Sequence, residues 1–82
     1  KKIDKRIAIV GRTDGEIIVN DPLISRKHFS IEVKSSTMVE LKDLASRNGT
    51  FHNNIKVSSI YLQSGDIIKA GSVEFVFSNI FI

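Results

Sequence analysis

The sequence predicts an all-β fold, a twisted antiparallel sandwich or a small barrel of seven or more short strands. Three observations carry this. Apolar residues alternate with polar ones at period two, β-branched and aromatic residues fill the alternating positions, and turn-forming residues interrupt each run after a few positions. No stretch joins a 3.6-residue apolar period to caps at both ends, so no helix is expected.

The elements follow in order along the chain. Residues 7–10 and 17–19 are short apolar runs separated by Gly11 and the polar stretch 12–16. In residues 28–33, Phe29, Ile31 and Val33 point one way while His28, Ser30 and Glu32 point the other. Ser35-Ser36 turns this strand into residues 38–43, where Val39 and Leu41 alternate with Glu40 and Lys42. Asn53-Asn54 can supply the two positive φ angles of a tight hairpin, although Asn-Gly would do so better. Residues 60–62 and 67–70 are further apolar runs. Gly71-Ser72 then turns the chain into residues 73–77, where Val73, Phe75 and Phe77 alternate with Glu74 and Val76.

Composition narrows the possible functions. With 82 residues the chain has room for one domain, taken as residues 1–82, and its start at Lys1 rather than Met suggests a piece of a longer protein. Such a short chain rarely builds the water-excluding pocket that catalysis needs, so no enzyme is expected. No apolar run is long enough to cross a membrane. The absence of cysteine excludes thiol chemistry and cysteine-ligated zinc, and points to a reducing, intracellular compartment. A net charge of +3 and a pI of about 9.5 favour an anionic partner. Nucleic acid fits poorly, because aromatic residues are only 7% and Phe29, Phe75 and Phe77 fall on predicted core faces.

Two connections are unlike simple hairpin loops. Residues 21–27 carry Ser25, Arg26 and Lys27, and residues 45–49 carry Arg47 and Asn48. With Arg12 from the stretch after Gly11, they would form a site of guanidinium forks, a hydroxyl and a carboxamide without a carboxylate. That inventory suits an oxyanion: arginine grips phosphate through parallel N–H bonds, serine can donate another, and an asparagine amide can hold a peptide main chain. Lys27 is read as surface charge and His52 as a surface strand residue. His28 and His52 are the only histidines, and neither has a carboxylate pair at ligand spacing, so no metal is expected. Ser25 with His28 lacks both a nucleophile elbow and an acidic orienter nearby in sequence, so no catalytic residue is assigned. Asn48-Gly49-Thr50 also fits an N-glycosylation sequon, which the cysteine-free composition argues against.

Gly11-Arg12, Ser25-Arg26-Lys27-His28 and Asn48-Gly49-Thr50 occur in an order and spacing that resemble the forkhead-associated (FHA) domains. Asp21-Pro22, Asp43-Leu44, Ser46, Phe51, Asn53, Leu62, Gly65-Asp66, Ile68 and Gly71 extend the resemblance over roughly residues 9 to 77. It implies an antiparallel β-sandwich with its binding loops at one end, which recognises phosphothreonine in a partner protein. Arg12 and Ser25 would contact the phosphate. Arg26 would add charge or touch the peptide backbone, Arg47 would lie beside the phosphothreonine and contribute through its backbone, and Asn48 would fix the peptide main chain. Gly11, His28, Gly49 and Thr50 would support the site. The resemblance also implies a first strand, either short and within residues 1–4 or lost at the start of this sequence, together with a preference for threonine over serine, an upstream Ser/Thr kinase and no cofactor. The alternative is a phosphate-independent interaction or dimerisation scaffold.

Overall fold

The computed structural model describes residues 6–78, so the strand expected within residues 1–4 lies outside the described residues. Among the described residues every regular element is a strand: β1 (Ile7–Gly11), β2 (Ile17–Ile18), β3 (Phe29–Val33), β4 (Val39–Asp43), β5 (Thr50–His52), β6 (Ile55–Val57), β7 (Ser59–Tyr61), β8 (Ile67–Ala70) and β9 (Val73–Val76). They form a sheet of order β2-β1-β3-β4-β7 and a second of order β6-β5-β8-β9.

Two details differ from the sequence expectation. The first sheet is mixed, because β2 pairs with β1 in parallel, Val10 opposite Ile17 and Gly11 opposite Ile18. Residues 12–16 loop out and return to the side of β1 instead of reversing as a hairpin. Gly15 makes that return at φ 128°, where a Cβ would lie 2.4 Å from the Ile9 carbonyl oxygen, and the Glu16 carboxylate accepts the Ile9 N–H at 2.7 Å. The second detail is the pair β5 and β6, whose turn was legible but whose three-residue strands are too short to show alternation. His52 opposes Ile55 across Asn53 and Asn54, which take φ 48° and 72°.

The core lies between the sheets. Phe29 opposes Val10, Ile31 opposes Leu41, and Val33 opposes Val39, so the period-two pattern of three strands meets on one face. Ile68 and Ala70 face them from the second sheet, with Ile24 and Leu62 closing in from connections. The rings of Phe29 and Phe75 meet edge to face at 5.5 Å and tie the two layers together. Full burial of Phe29 and Leu41 stabilises the fold by about 1.5–3 kcal/mol each.

At one rim, Asp66 gathers the ends of β5, β8 and β9. Its Oδ2 accepts the Gln63 N–H at 2.8 Å and His52 Nε2–H at 2.7 Å, while Asn53 Nδ2 donates to Oδ1 at 3.3 Å. Asn53 in turn exchanges two bonds with the Ile67 backbone, and Phe77 N–H reaches the Asp66 carbonyl. His52 is therefore not the surface residue expected. It shares a face of β5 with the buried Thr50, its side chain is only 15% exposed, and it carries its proton on the nitrogen facing the carboxylate.

Two predictions follow from this rim. The Gln63 N–H, and after it the His52 ring, hold the Asp66 carboxyl below the ordinary aspartate value of 3.8. Its contribution to stability is thus complete above that value and is lost as pH falls below it. Asp66→Asn should lower the urea midpoint at neutral pH and flatten the acid limb, measured between about pH 6 and pH 2. Asn54→Gly should raise the thermal midpoint by about 2–4 °C, because glycine meets the second positive φ with less strain, worth about 0.5 kcal/mol.

Candidate functional site

At the opposite rim three connections converge. β1 ends at Gly11, whose backbone approaches the β2–β3 connection so closely that a Cβ would stand 1.9 Å from the Arg26 carbonyl oxygen. Glycine is needed here for space. The approach lets Arg12 N–H donate to the Ser25 carbonyl at 2.9 Å and Asp14 N–H to the Arg26 carbonyl at 3.1 Å. Arg12 and Ser25 are thereby neighbours by main-chain geometry, whatever their side chains hold.

His28 joins this pair of loops to the third. The ring is fully buried, its Nδ1 accepting the Ser25 N–H at 3.0 Å and its Nε2 lying 2.8 Å from the Gly49 carbonyl oxygen. A backbone N–H can only donate and a carbonyl can only accept, so Nε2 carries the proton and the ring is neutral. Because Nδ1 is occupied by the Ser25 main chain, it cannot serve as a base for the Ser25 hydroxyl.

Asp43, at the end of β4, shapes the loop that carries Arg47 and Asn48. Its Oδ1 accepts from the hydroxyls of Ser46 at 2.5 Å and Thr50 at 2.7 Å, and its Oδ2 from the Ser46 N–H at 3.2 Å. Burial pushes the Asp43 carboxyl up, but the Ser46 and Thr50 hydroxyls and the Ser46 N–H outweigh it and hold the group below its ordinary value. The Ser46 hydroxyl also accepts the Gly49 N–H at 2.9 Å. This cluster offsets the left-handed backbone of Ala45, at φ 55°, which costs an L-residue about 1–2 kcal/mol.

The loop then closes against Ser25 and Leu23. Arg47 N–H donates to the Ser25 hydroxyl oxygen at 2.9 Å, and Asn48 Nδ2 donates to the Leu23 carbonyl at 2.8 Å. Leu23 N–H is itself held by Asp21 Oδ1 at 2.8 Å, and the Ser72 hydroxyl bonds Asp21 Oδ2. The Ser72 hydroxyl, and after it the Leu23 N–H, lower the Asp21 carboxyl below its ordinary value.

The result is an open depression of about 230 Å³ lined by Arg12, Pro22, Leu23, Ile24, Ser25, Arg26, Arg47 and Asn48. All five residues expected to touch a ligand border it. Gly11, His28, Gly49 and Thr50 stand behind it as loop supports, and Lys27 does not line it. No carboxylate lines it either. Arg26 lies 3.9 Å from Asp14, but its side chain is 74% exposed, so this surface pair leaves the guanidinium largely available. Among the described residues no group of three histidine or acidic side chains could hold a metal ion. The supports Asp43 and Ser46 are readable as a local turn spacing, and Asp21-Pro22 as a turn start. The Asp21–Ser72 bond spans 51 positions and leaves no local signal.

The chain is similar in sequence and in fold to known proteins. A family profile for the FHA domain matches residues 8–71. The chain is 34% identical over 71 residues to the ABC transporter ATP-binding/permease protein Rv1747 of Mycobacterium tuberculosis, covering 85% of this chain and 8% of the transporter. It spans about half or less of the length of the curated relatives it matches. A structure solved in a study of phosphothreonine-dependent FHA domain interactions superposes with a TM-score of 0.82 at 33% identity, over 90% of this chain and 77% of that one. Mycobacterium tuberculosis EmbR, solved in complex with a low affinity phosphopeptide, superposes with a TM-score of 0.85 at 29% identity, over 90% of this chain and 20% of its own. With the family pattern running through β1 to β8 and the two-sheet backbone shared, the chain belongs to the FHA domain family.

Proposed function

We propose that the chain is a non-catalytic module that binds a phosphothreonine-containing segment of a partner protein. The observation that carries this is the meeting of Arg12, Ser25, Arg47 and Asn48 in one depression free of carboxylates. A phosphate ester near neutral pH carries about −1.5 to −2 charges and three acceptor oxygens. It finds here charge-assisted donors in a ready arrangement.

The bonds already described bear on the roles of Ser25, Arg47 and Asn48. The Arg12 guanidinium and the Ser25 hydroxyl hold the phosphate. Arg47 contributes through its backbone, because its N–H occupies a lone pair of the Ser25 oxygen and leaves the hydroxyl proton to be donated. Its side chain and that of Arg26 add positive charge at the rim. Asn48 has one amide N–H committed to Leu23, which fixes the carboxamide plane. The second N–H and the Oδ1 remain for a C=O and an N–H of an extended peptide. The structures solved for phosphothreonine-dependent FHA interactions and with a bound phosphopeptide support this reading. The partner would be written by a Ser/Thr kinase inside the cell, with no cofactor, and the module would bring to it whatever chain it is joined to.

Calorimetric or fluorescence titration with phosphothreonine, phosphoserine and unmodified versions of one peptide library tests the proposal. Phosphothreonine peptides should bind tightest, and equal affinity for unmodified peptides would overturn it. Arg12→Ala and Ser25→Ala should each weaken phosphopeptide binding by about 10–100-fold, the worth of a charge-assisted hydrogen bond. Arg12→Ala should leave the thermal midpoint near that of the parent chain, whereas Ser25→Ala should lower it by a few degrees, because the main-chain bonds of both residues survive but the acceptor of the Arg47 N–H is lost.

A further inference from the structure

Resting on the phosphopeptide reading above, we propose that Pro22 and Leu23 form a second recognition surface, which takes an aliphatic side chain flanking the phosphothreonine. The depression has two unlike walls. Arg12, Arg26 and Arg47 supply cations, whereas the apolar side comes from one short segment, Pro22 and Leu23 over the buried Ile24.

Leu23 is 50% exposed, and it is not exposed because its loop is loose. Its N–H is bonded to Asp21 and its carbonyl to Asn48, each at 2.8 Å. Gly71 packs behind it so closely that a Cβ there would stand 3.2 Å from the Leu23 Cβ. Ile24 fills the core beneath, so Leu23 cannot turn inward to bury itself. An aliphatic side chain is thus held at the rim, in water, beside a charged pocket.

Position selects the occupant. The Leu23 carbonyl is bonded to the amide of Asn48, so a peptide main chain held by Asn48 passes beside the Leu23 side chain. Pro22 and Leu23 line the same depression as the phosphate cradle, and the three arginines that border it disfavour a basic side chain there. The threonine methyl alone is too small to cover the apolar wall. One such group shields about 30 Å², less than the open half of a leucine side chain. A branched aliphatic residue close to the phosphothreonine covers the remainder.

The test uses the whole chain and a phosphothreonine peptide in an alanine background, with leucine placed in turn at each of the two positions on either side. Leucine at one of these positions should bind about tenfold tighter than alanine. Leu23→Ala should erase that gain, so that the leucine-bearing and all-alanine phosphopeptides bind it alike, while Leu23→Met should keep the gain. No gain at any position, or a gain that survives Leu23→Ala, overturns the inference. So does a Leu23→Ala variant that loses only its preference for phosphothreonine over phosphoserine, since the wall would then hold the threonine methyl. Wild-type binding that ignores the phosphate would instead overturn the phosphopeptide reading itself, and the all-alanine peptide without phosphate separates that failure from the others.

Discussion

The buried imidazole of His28 is the contact on which the binding rim depends. One ring nitrogen takes a main-chain N–H from the loop after β2 and the other gives a proton to a main-chain carbonyl from the loop after β4. Neither bond involves a side chain that a ligand could compete for. Replacing the ring would leave a donor and an acceptor unsatisfied in the interior, at about 1–3 kcal/mol each. Asp43 and Asp21 extend the same principle, each carboxylate collecting hydroxyl and amide protons from chain segments that would otherwise separate. Among the described residues no buried side-chain nitrogen or oxygen is left without a partner.

Charge is distributed in a way that separates support from recognition. Away from the site, two lysines are paired: Lys34 lies near Glu32 and Glu40, and Lys69 near Glu74. Around the depression, Arg12 and Arg47 have no carboxylate within ion-pair distance among the described residues, and Arg26 has only a long, exposed one. A modest net charge of +3 therefore understates the field at the rim, because the unbalanced cations sit together.

Much of this was legible in the sequence. Alternation in β3, β4 and β9 reflects sheets with one face on the core, and the Asn53-Asn54 turn is visible because few residues tolerate two positive φ angles. Five of the eight residues bordering the depression are legible through ordered motifs, since three short loops carry unusual groups for their length. What escaped has identifiable causes. The parallel pairing of β2 depends on a loop that returns to its own strand, which no turn dipeptide signals. His52 gives a period-two pattern no different from a solvent-facing residue, and only the fold supplies Asp66 beneath it. Leu23 carries no signal of its own in residues 21–27, and its position is decided by bonds to Asp21 and Asn48 rather than by its neighbours in sequence.

The closure of the rim by main-chain bonds has a kinetic corollary. The backbones of Arg12, Ser25 and Arg47 and the carboxamide of Asn48 are set in place during folding, so an arriving guest meets loops already closed and little backbone ordering entropy remains to be lost on the protein side. Encounter should then be governed by diffusion under electrostatic attraction and slow as salt is raised. Differences in residence time between one phosphorylated segment and another would arise mainly after docking, in how fast each escapes.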